Sequence, residues 1–272
     1  MKRLLLTCTD LMAIQFLVPH VKYLSEHGFS VELACSEVGG RLQELRTVLS
    51  GIAPVHTVRL VRNPFSLRNR KGLSDLKKII NGRSWDVIWT NEPVMGVMTR
   101  VAAKTVRKKG TKVVYMVHGF HFYKGAPLTN WLLYYPVEKY CSRLCDMIIT
   151  INEEDYQRAK RFHAKRTEKI PGVGVNLDCF APNNDVRKQW REKLKLSPND
   201  TLLLTVGELT PRKNQHVMIK AVKLLQNSNV NLFVCGCGKL ELQLKNTVKM
   251  LELEEKVKLL GYRKDIPKLS CA

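Results

Sequence analysis

The run Val113-Val114-Tyr115-Met116-Val117-His118-Gly119-Phe120-His121-Phe122-Tyr123-Lys124-Gly125 decides the fold. Its first five residues form a short apolar run of the kind that a buried β-strand carries. At His118 and Gly119 the run stops, and the chain turns aromatic, basic and glycine-punctuated. In a parallel α/β sheet, ligands bind outside the carboxyl ends of the strands. His118 therefore stands where a site would be. The same residues also fit a surface loop with aromatics tucked beneath it, and both readings stand at this point.

Outward from that run, strand and helix patterns alternate. Toward the amino terminus, Leu4–Thr7, Val31–Cys35, Val55–Leu60 and Val87–Thr90 read as strands. Ile14–Glu26, a weaker stretch over 40–50, Ser74–Asn81 and a segment from Pro93 to about Lys108 read as helices between them. Pro93 suits a first helical turn, where a missing N–H costs nothing. Toward the carboxyl terminus, residues 130–145 read as helix and Met147–Ile151 as strand. Asn152 then caps a helix opening Glu153-Glu154-Asp155, with acids at its positive end. Strands separated by helices predict βαβ units and a parallel sheet covered on both faces. The loop after the first strand is Thr9-Asp10-Leu11-Met12-Ala13, with no G-x-G-x-x-G, so a nicotinamide-dependent dehydrogenase is not expected here.

Pro171-Gly172-Val173-Gly174-Val175 breaks the pattern. The expected division is a first domain over 1–170, a linker over 171–184 and a second domain over 185–272. The second reads as helix 185–195, strand Leu202–Val206, helix Gln215–Leu225, strand Asn231–Cys235, helix Leu240–Leu251 and strand Val257–Leu260, with another helix starting near Pro267. Three strands against six or seven would leave an open edge, so this domain is expected to be incomplete.

The composition, 44% hydrophobic and 25% charged, is globular. Lys and Arg total 45 against 24 Asp and Glu, a formal charge of +21. That excess favours anionic partners: nucleic acid, anionic lipid or phosphorylated ligands. Binding to nucleic acid is not expected, because no recognition helix or aromatic-basic sheet face accompanies the charge. Eight cysteines lack disulfide-framework or zinc spacing and read as reduced, mostly buried thiols of a cytosolic chain. No apolar run reaches the length of a membrane span.

A second candidate site joins strand to helix at Val206-Gly207-Glu208-Leu209-Thr210-Pro211-Arg212-Lys213-Asn214. Gly207 lets the backbone turn near a ligand, and the next helix offers free N–H groups and a positive dipole end. Arg212 and Lys213 add two full charges. The stretch reads as a diphosphate cradle, or as a basic loop in a basic protein. Cys235-Gly236-Cys237-Gly238 and Gly261-Tyr262-Arg263-Lys264-Asp265 end the next two strands. Three consecutive strand ends with glycine beside polar or basic residues say more than any one loop.

H-G-F-H-F-Y-K-G-A-P, N-W-L-L-Y-Y-P-V-E-K, I-T-I-N-E-E-D-Y, I-P-G-V-G-V, V-G-E-L-T-P-R-K-N, C-G-C-G and L-G-Y-R-K-D-I-P occur in that order. The set resembles the bacterial retaining GT-B glycosyltransferases of capsule, exopolysaccharide and O-antigen assembly, glycosyltransferase family 4. The resemblance implies a GT-B-like α/β fold of two Rossmann-like doubly wound domains, the second incomplete. It implies transfer of a sugar from a nucleotide donor, UDP-linked, to a saccharide on a polyprenyl diphosphate lipid, with retention and without metal or other cofactor. It places the protein in the cytoplasm at the anionic inner face of the plasma membrane. By position, His118 would touch the donor sugar. Lys213 would bind the donor diphosphate with help from Arg212, near Gly207, Gly236 and Gly238. Tyr262 and Arg263 would meet the base. Phe120, His121, Phe122, Tyr123 and Lys124 would face the acceptor. His118 and Lys213 are expected to converge on one bound molecule.

Two departures stand out. Glu208 occupies a position where the broader family often has Arg, and it is read as structural. The paired glutamates at E-x-x-x-x-x-x-x-E spacing, which the family uses on donor sugar and ribose, do not occur. The chain is therefore expected to be truncated and weakly active or inactive. The alternative expectation is a non-catalytic remnant that binds membrane or a partner enzyme.

Overall fold

The computed structural model describes residues 1–38, 40, 42–225 and 229–272, and the side chains of these except residues 10–15. It divides into two compact units, Met1–Gly174 and Val175–Ala272.

The first unit is a seven-stranded parallel sheet with helices on both faces. Its strands are β1 (Lys2–Asp10), β2 (Phe29–Val38), β3 (Val55–Thr57), β4 (Val87–Asn91), β5 (Lys112–Val117), β6 (Met147–Thr150) and β7 (Arg166–Lys169). Their order is β3-β2-β1-β4-β5-β6-β7. The order reverses between β1 and β4, which opens a crevice at their carboxyl ends. Helices α1 (Leu11–Glu26) and α2 (Leu42–Val48) cover one face, packing Leu17, Val21 and Leu45 over Leu6 and Leu33. Arg41, inside the weak helix expected over 40–50, lies outside the described residues. Helices α3 (Arg68–Asn81), α4 (Pro93–Ala102), α5 (Lys104–Lys108), α6 (Leu128–Cys141) and α7 (Glu153–Ala159) complete the unit. On the second face Leu5, Leu76, Ile88, Met95 and Ile148 pack into one cluster. A fully buried aliphatic side chain of this kind contributes about 1.5–3 kcal/mol.

The helix expected from Pro93 to about Lys108 is broken at Ala103 into α4 and α5, and the strand expected over Val55–Leu60 ends at Thr57. Two further elements differ from the sequence reading. Helix α3 begins at Arg68 rather than Ser74. Gly72 looks like a breaker, yet a Cβ there would lie 2.4 Å from Leu60 Cδ2, so glycine is what lets α3 close on the preceding segment. The polar strand β7, Arg166-Thr167-Glu168-Lys169, has no apolar signature because it forms the sheet edge. Charge on an edge strand guards against pairing with other chains.

Buried charge joins α4 to α6. The Arg100 guanidinium donates to Glu138 Oε2 at 2.7 Å, and its Nε donates to the Gly96 carbonyl at 2.9 Å. The Tyr115 hydroxyl donates to Glu138 Oε1 at 2.9 Å, and the Arg100 guanidinium lies 3.9 Å from the Tyr115 ring centroid. Burial, and then the Glu138 charge, push the Tyr115 hydroxyl well above its usual pKa.

Where β5 and β6 begin, Asp146 accepts from Val113 N–H and from Arg107, each at 3.0 Å. Burial alone would raise its pKa, but Arg107, Val113 and Lys165 outweigh it and hold the carboxyl at about 2. The folded value lies below the unfolded one, so this stabilisation is complete above about pH 4 and is lost as pH falls toward 2. Asp146→Asn is expected to cost on the order of 2 kcal/mol at neutral pH. It should also flatten the acid limb of a stability–pH curve measured by urea denaturation.

The second unit holds a three-stranded parallel sheet of β8 (Thr201–Val206), β9 (Val230–Cys235) and β10 (Val257–Gly261), in the order β10-β9-β8. Helices α8 (Asn184–Lys193), α9 (Gln215–Leu224), α10 (Glu241–Met250) and α11 (Ile266–Ser270) accompany it. Ile219, Val222, Leu244 and Val248 cover one face, while Trp190 and Leu269 cover the other. No described helix is long and apolar enough to cross a membrane. All eight cysteines are free thiols, five of them buried.

Candidate functional site

In the first unit the site is built at the carboxyl ends of β1, β4 and β5. Asn91 is buried there and donates from Nδ2 to the Thr7 carbonyl at 3.3 Å. Its Oδ1 can only accept, so His118 Nε2, 3.1 Å away, carries the proton. That leaves Nδ1 of a neutral ring as the acceptor. The His118 ring is open to solvent on one side, while the strand ends crowd the rest. That desolvation lowers its pKa below the usual histidine value, with the Glu92 charge pulling the other way. A neutral imidazole with a fixed tautomer can accept a hydrogen bond from a sugar hydroxyl.

Beside it, Glu92 holds φ 64° and ψ 157°, a region that residues other than glycine rarely enter. Its Oε2 accepts from Thr9 N–H at 2.6 Å and from the Cys8 thiol at 3.0 Å. Burial and the Glu92 carboxylate raise the Cys8 pKa, so the thiol stays protonated as a donor. Thr7, Thr90 and Thr99 extend the network, with Thr7 Oγ1 2.7 Å from Thr90 Oγ1 and 3.0 Å from Thr99 Oγ1. The sequence reading missed Glu92 and Asn91. Their one signal was an Asn-Glu-Pro placed between a buried strand and a helix.

Acids on α7 hold the loop that follows His118. Asn152 caps that helix by accepting from Asp155 N–H at 2.8 Å. Asp155 in turn accepts from Phe120 N–H at 3.1 Å, and Glu154 accepts from Lys124 N–H at 2.5 Å. The capping acids therefore also position the loop, a role the sequence reading did not assign.

The loop itself corrects one expectation. Phe120 and Phe122 do not face an acceptor; they are 6% and 0% exposed. They stack at 4.6 Å between centroids, and Phe122 packs against Tyr135 at 5.3 Å and Trp131 at 5.6 Å. Apolar rings gain more beneath the loop than in water, so the two phenylalanines anchor it. His121, Tyr123 and Lys124 are exposed. His121 lies 4.7 Å from the Tyr134 ring, and Asn130 Nδ2 donates to its carbonyl at 2.9 Å.

In the second unit three βα turns are stitched together by their backbones. Gly207 N–H donates to the Cys235 carbonyl at 2.9 Å, Leu209 N–H to Cys237 at 3.0 Å, and Gly236 N–H to Gly261 at 2.8 Å. A Cβ on Gly236, whose φ is 145°, would lie 1.9 Å from the Gly207 carbonyl oxygen, and one on Gly238 2.5 Å from that of Leu209. Both glycines are thus required by the neighbouring turn itself. Gly236→Ala is expected to spread the turns and lower the stability of the second unit by roughly 3 kcal/mol or more. Thermal unfolding of that variant would measure the loss.

The aliphatic stem of Lys213 lies over Gly207, with Cε 3.5 Å from where a Cβ would be. Arg212 and Lys213 are exposed and have no ion pair among the described residues. The charges stand where α9 begins, and its positive end favours an anion. Gln215 is buried, and its Nε2 donates to the Glu208 carbonyl at 3.2 Å. The Glu208 side chain is exposed, so any structural part belongs to its backbone. Tyr262 is exposed, while Arg263 forks onto Asp265 at 2.8 and 2.6 Å. Among the described residues, no three His, Cys, Asp or Glu side chains gather as metal ligands.

The sequence profile of Glycosyltransferase Family 4 matches residues 17–178. The chain belongs to that family. A second profile, Glycosyl transferases group 1, matches residues 186–270. Within the family, the chain is 38% identical over 259 residues to EpsD of Bacillus subtilis (strain 168), whose name as a glycosyltransferase is itself provisional. It is 28% identical over 255 residues to a UDP-Gal:alpha-D-GlcNAc-diphosphoundecaprenol alpha-1,3-galactosyltransferase of Escherichia coli. These matches cover 93% and 90% of the chain, but 66% and 64% of the two relatives. The chain spans about two thirds of the length of those relatives. Anabaena Alr3699/HepE, crystallised with UDP, superposes with a TM-score of 0.76 at 21% identity, over 99% of this chain and 71% of that one. That likeness speaks for the fold, which is GT-B-like as expected.

Proposed function

We propose that this protein transfers a sugar from a UDP-linked donor to a saccharide carried on a polyprenyl diphosphate lipid in bacterial surface polysaccharide assembly. Transfer is proposed to retain the anomeric configuration and to need no metal. The observation that carries the reading is the turn over residues 206–215, where an exposed Lys213, without an anionic partner among the described residues, lies over Gly207 at the start of α9. A donor diphosphate supplies the missing anion. Lys213 and Arg212 then meet the charge that grows on the leaving phosphate, as prearranged cations do in transferase sites. His118 accepts from a donor-sugar hydroxyl through Nδ1, and Tyr262 lies beside the base. His121, Tyr123 and Lys124 face the acceptor.

The named relatives support this reading. The Escherichia coli protein carries UDP-Gal and a diphosphoundecaprenol acceptor in its name, and HepE was crystallised with UDP. The test is incubation of the protein, in its full natural length, with a panel of UDP-sugars and a lipid-linked acceptor, with and without EDTA. The expected result is an α-linked product from an α-linked donor, formed equally in chelator. A product of inverted configuration, or no product from any nucleotide sugar, would overturn the reading.

A further inference from the structure

We propose that the segment Asn63–Lys71 of the first unit docks on an anionic lipid bilayer, with Phe65 and Leu67 entering the leaflet. Phe65 is 72% exposed and Leu67 74% exposed, on a turn between β3 and α3. Side chains of this size are normally exposed singly. Here two stand two residues apart, followed at once by exposed Arg68, Arg70 and Lys71.

The turn is held rigid from beneath. Asn69 is 2% exposed and clamps both arms: its Oδ1 accepts from Val61 N–H at 3.0 Å, and its Nδ2 donates to the Asn63 carbonyl at 2.8 Å. Asn63 Oδ1 accepts from Phe65 N–H at 3.0 Å. The apolar pair is thus presented outward in one conformation, and docking need not order it.

Charge complementarity names the occupant. A groove of about 890 Å³ runs beside the turn, bordered by Arg68, Lys71 and Lys78. Of its acids, Asp75 is spent on Arg59 through bonds of 2.8 and 2.6 Å, and Glu37 also lines the groove. Apolar tips ringed by cations fit the boundary between acyl chains and anionic headgroups. Another protein would need apolar and acidic surface in the same pattern.

The inference deepens the acceptor reading above, since a lipid-linked acceptor is met at a bilayer. Vesicle binding is measured with neither donor nor acceptor, so it fails or succeeds independently of transfer. The experiment is flotation of the 272-residue protein with vesicles of equimolar phosphatidylglycerol and phosphatidylcholine, against phosphatidylcholine alone. Binding is expected only to the anionic vesicles. Each of Arg68→Ala and Lys71→Ala should weaken it on the order of fivefold. Phe65→Asp/Leu67→Asp should weaken it at least tenfold, with unchanged circular dichroism. Phe65→Trp protein should show fluorescence quenched by brominated lipid beyond that of the parent. Three results would each overturn the proposal: binding of the double aspartate variant within twofold of the parent, unquenched Phe65→Trp, or a parent dimer that the aspartates split.

Discussion

Lys213→Ala protein is expected to bind UDP about tenfold to a hundredfold more weakly than the parent, the loss that follows from removing one charged hydrogen bond. The turn that carries Lys213 is held by backbone bonds from Gly207 and Leu209 to the next strand end, none of which involves the lysine side chain. Lys213 is exposed, so its removal should leave stability within about 0.5 kcal/mol of the parent. Arg212→Ala should cost less, because the atoms nearest Gly207 belong to Lys213 and not to Arg212. Calorimetric titration with UDP at constant salt separates the effects. Equal weakening by distant lysine substitutions would mean that overall charge, not this turn, binds the nucleotide.

Glu138→Ala is expected to be the most destabilising single change in the first unit, at about 3–5 kcal/mol, because it strands a buried guanidinium. Arg100 is 0% exposed and its NH1 already lacks a partner. Without Glu138 the Tyr115 hydroxyl is left unpaired as well. The effect reaches the site, since α6 follows the His118 loop and supplies Trp131 and Tyr135 to the phenylalanine anchor. Replacing the pair together, Arg100→Met with Glu138→Leu, should cost far less, because no charge remains to be desolvated. Urea midpoints of the three proteins check both statements. A small loss in Glu138→Ala would show that water reaches Arg100.

The parallel strands were legible because a strand buried on both faces is written as a nearly unbroken apolar run, as in Val113–Val117. The first turns of α3 were not. Arg68-Asn69-Arg70-Lys71-Gly72 has the composition of a loop, and its helical state depends on Gly72 meeting Leu60, a contact no local window contains. Strand β7 was hidden for the opposite reason, since an edge strand of charged residues has no apolar run to show.

At the site, the position of His118 follows from the end of its strand, and the aromatics after it divide into two sets. Phe120 and Phe122 point in while His121 and Tyr123 point out, a period-two alternation already present in the sequence. Trp131 and Tyr135, one helical turn apart, were the matching signal on α6. Glu92 left no such mark. A strained backbone angle is set by what surrounds it, and only the fold shows that its carboxylate closes the end of β1.

The most direct test follows the ring signals of His118 by NMR while the protein is titrated with a UDP-sugar. If His118 touches the donor sugar, its signals shift with the binding curve, and Lys213→Ala moves that curve to about tenfold or more higher ligand concentration. His118 signals that stay fixed while the donor saturates its site would contradict the account.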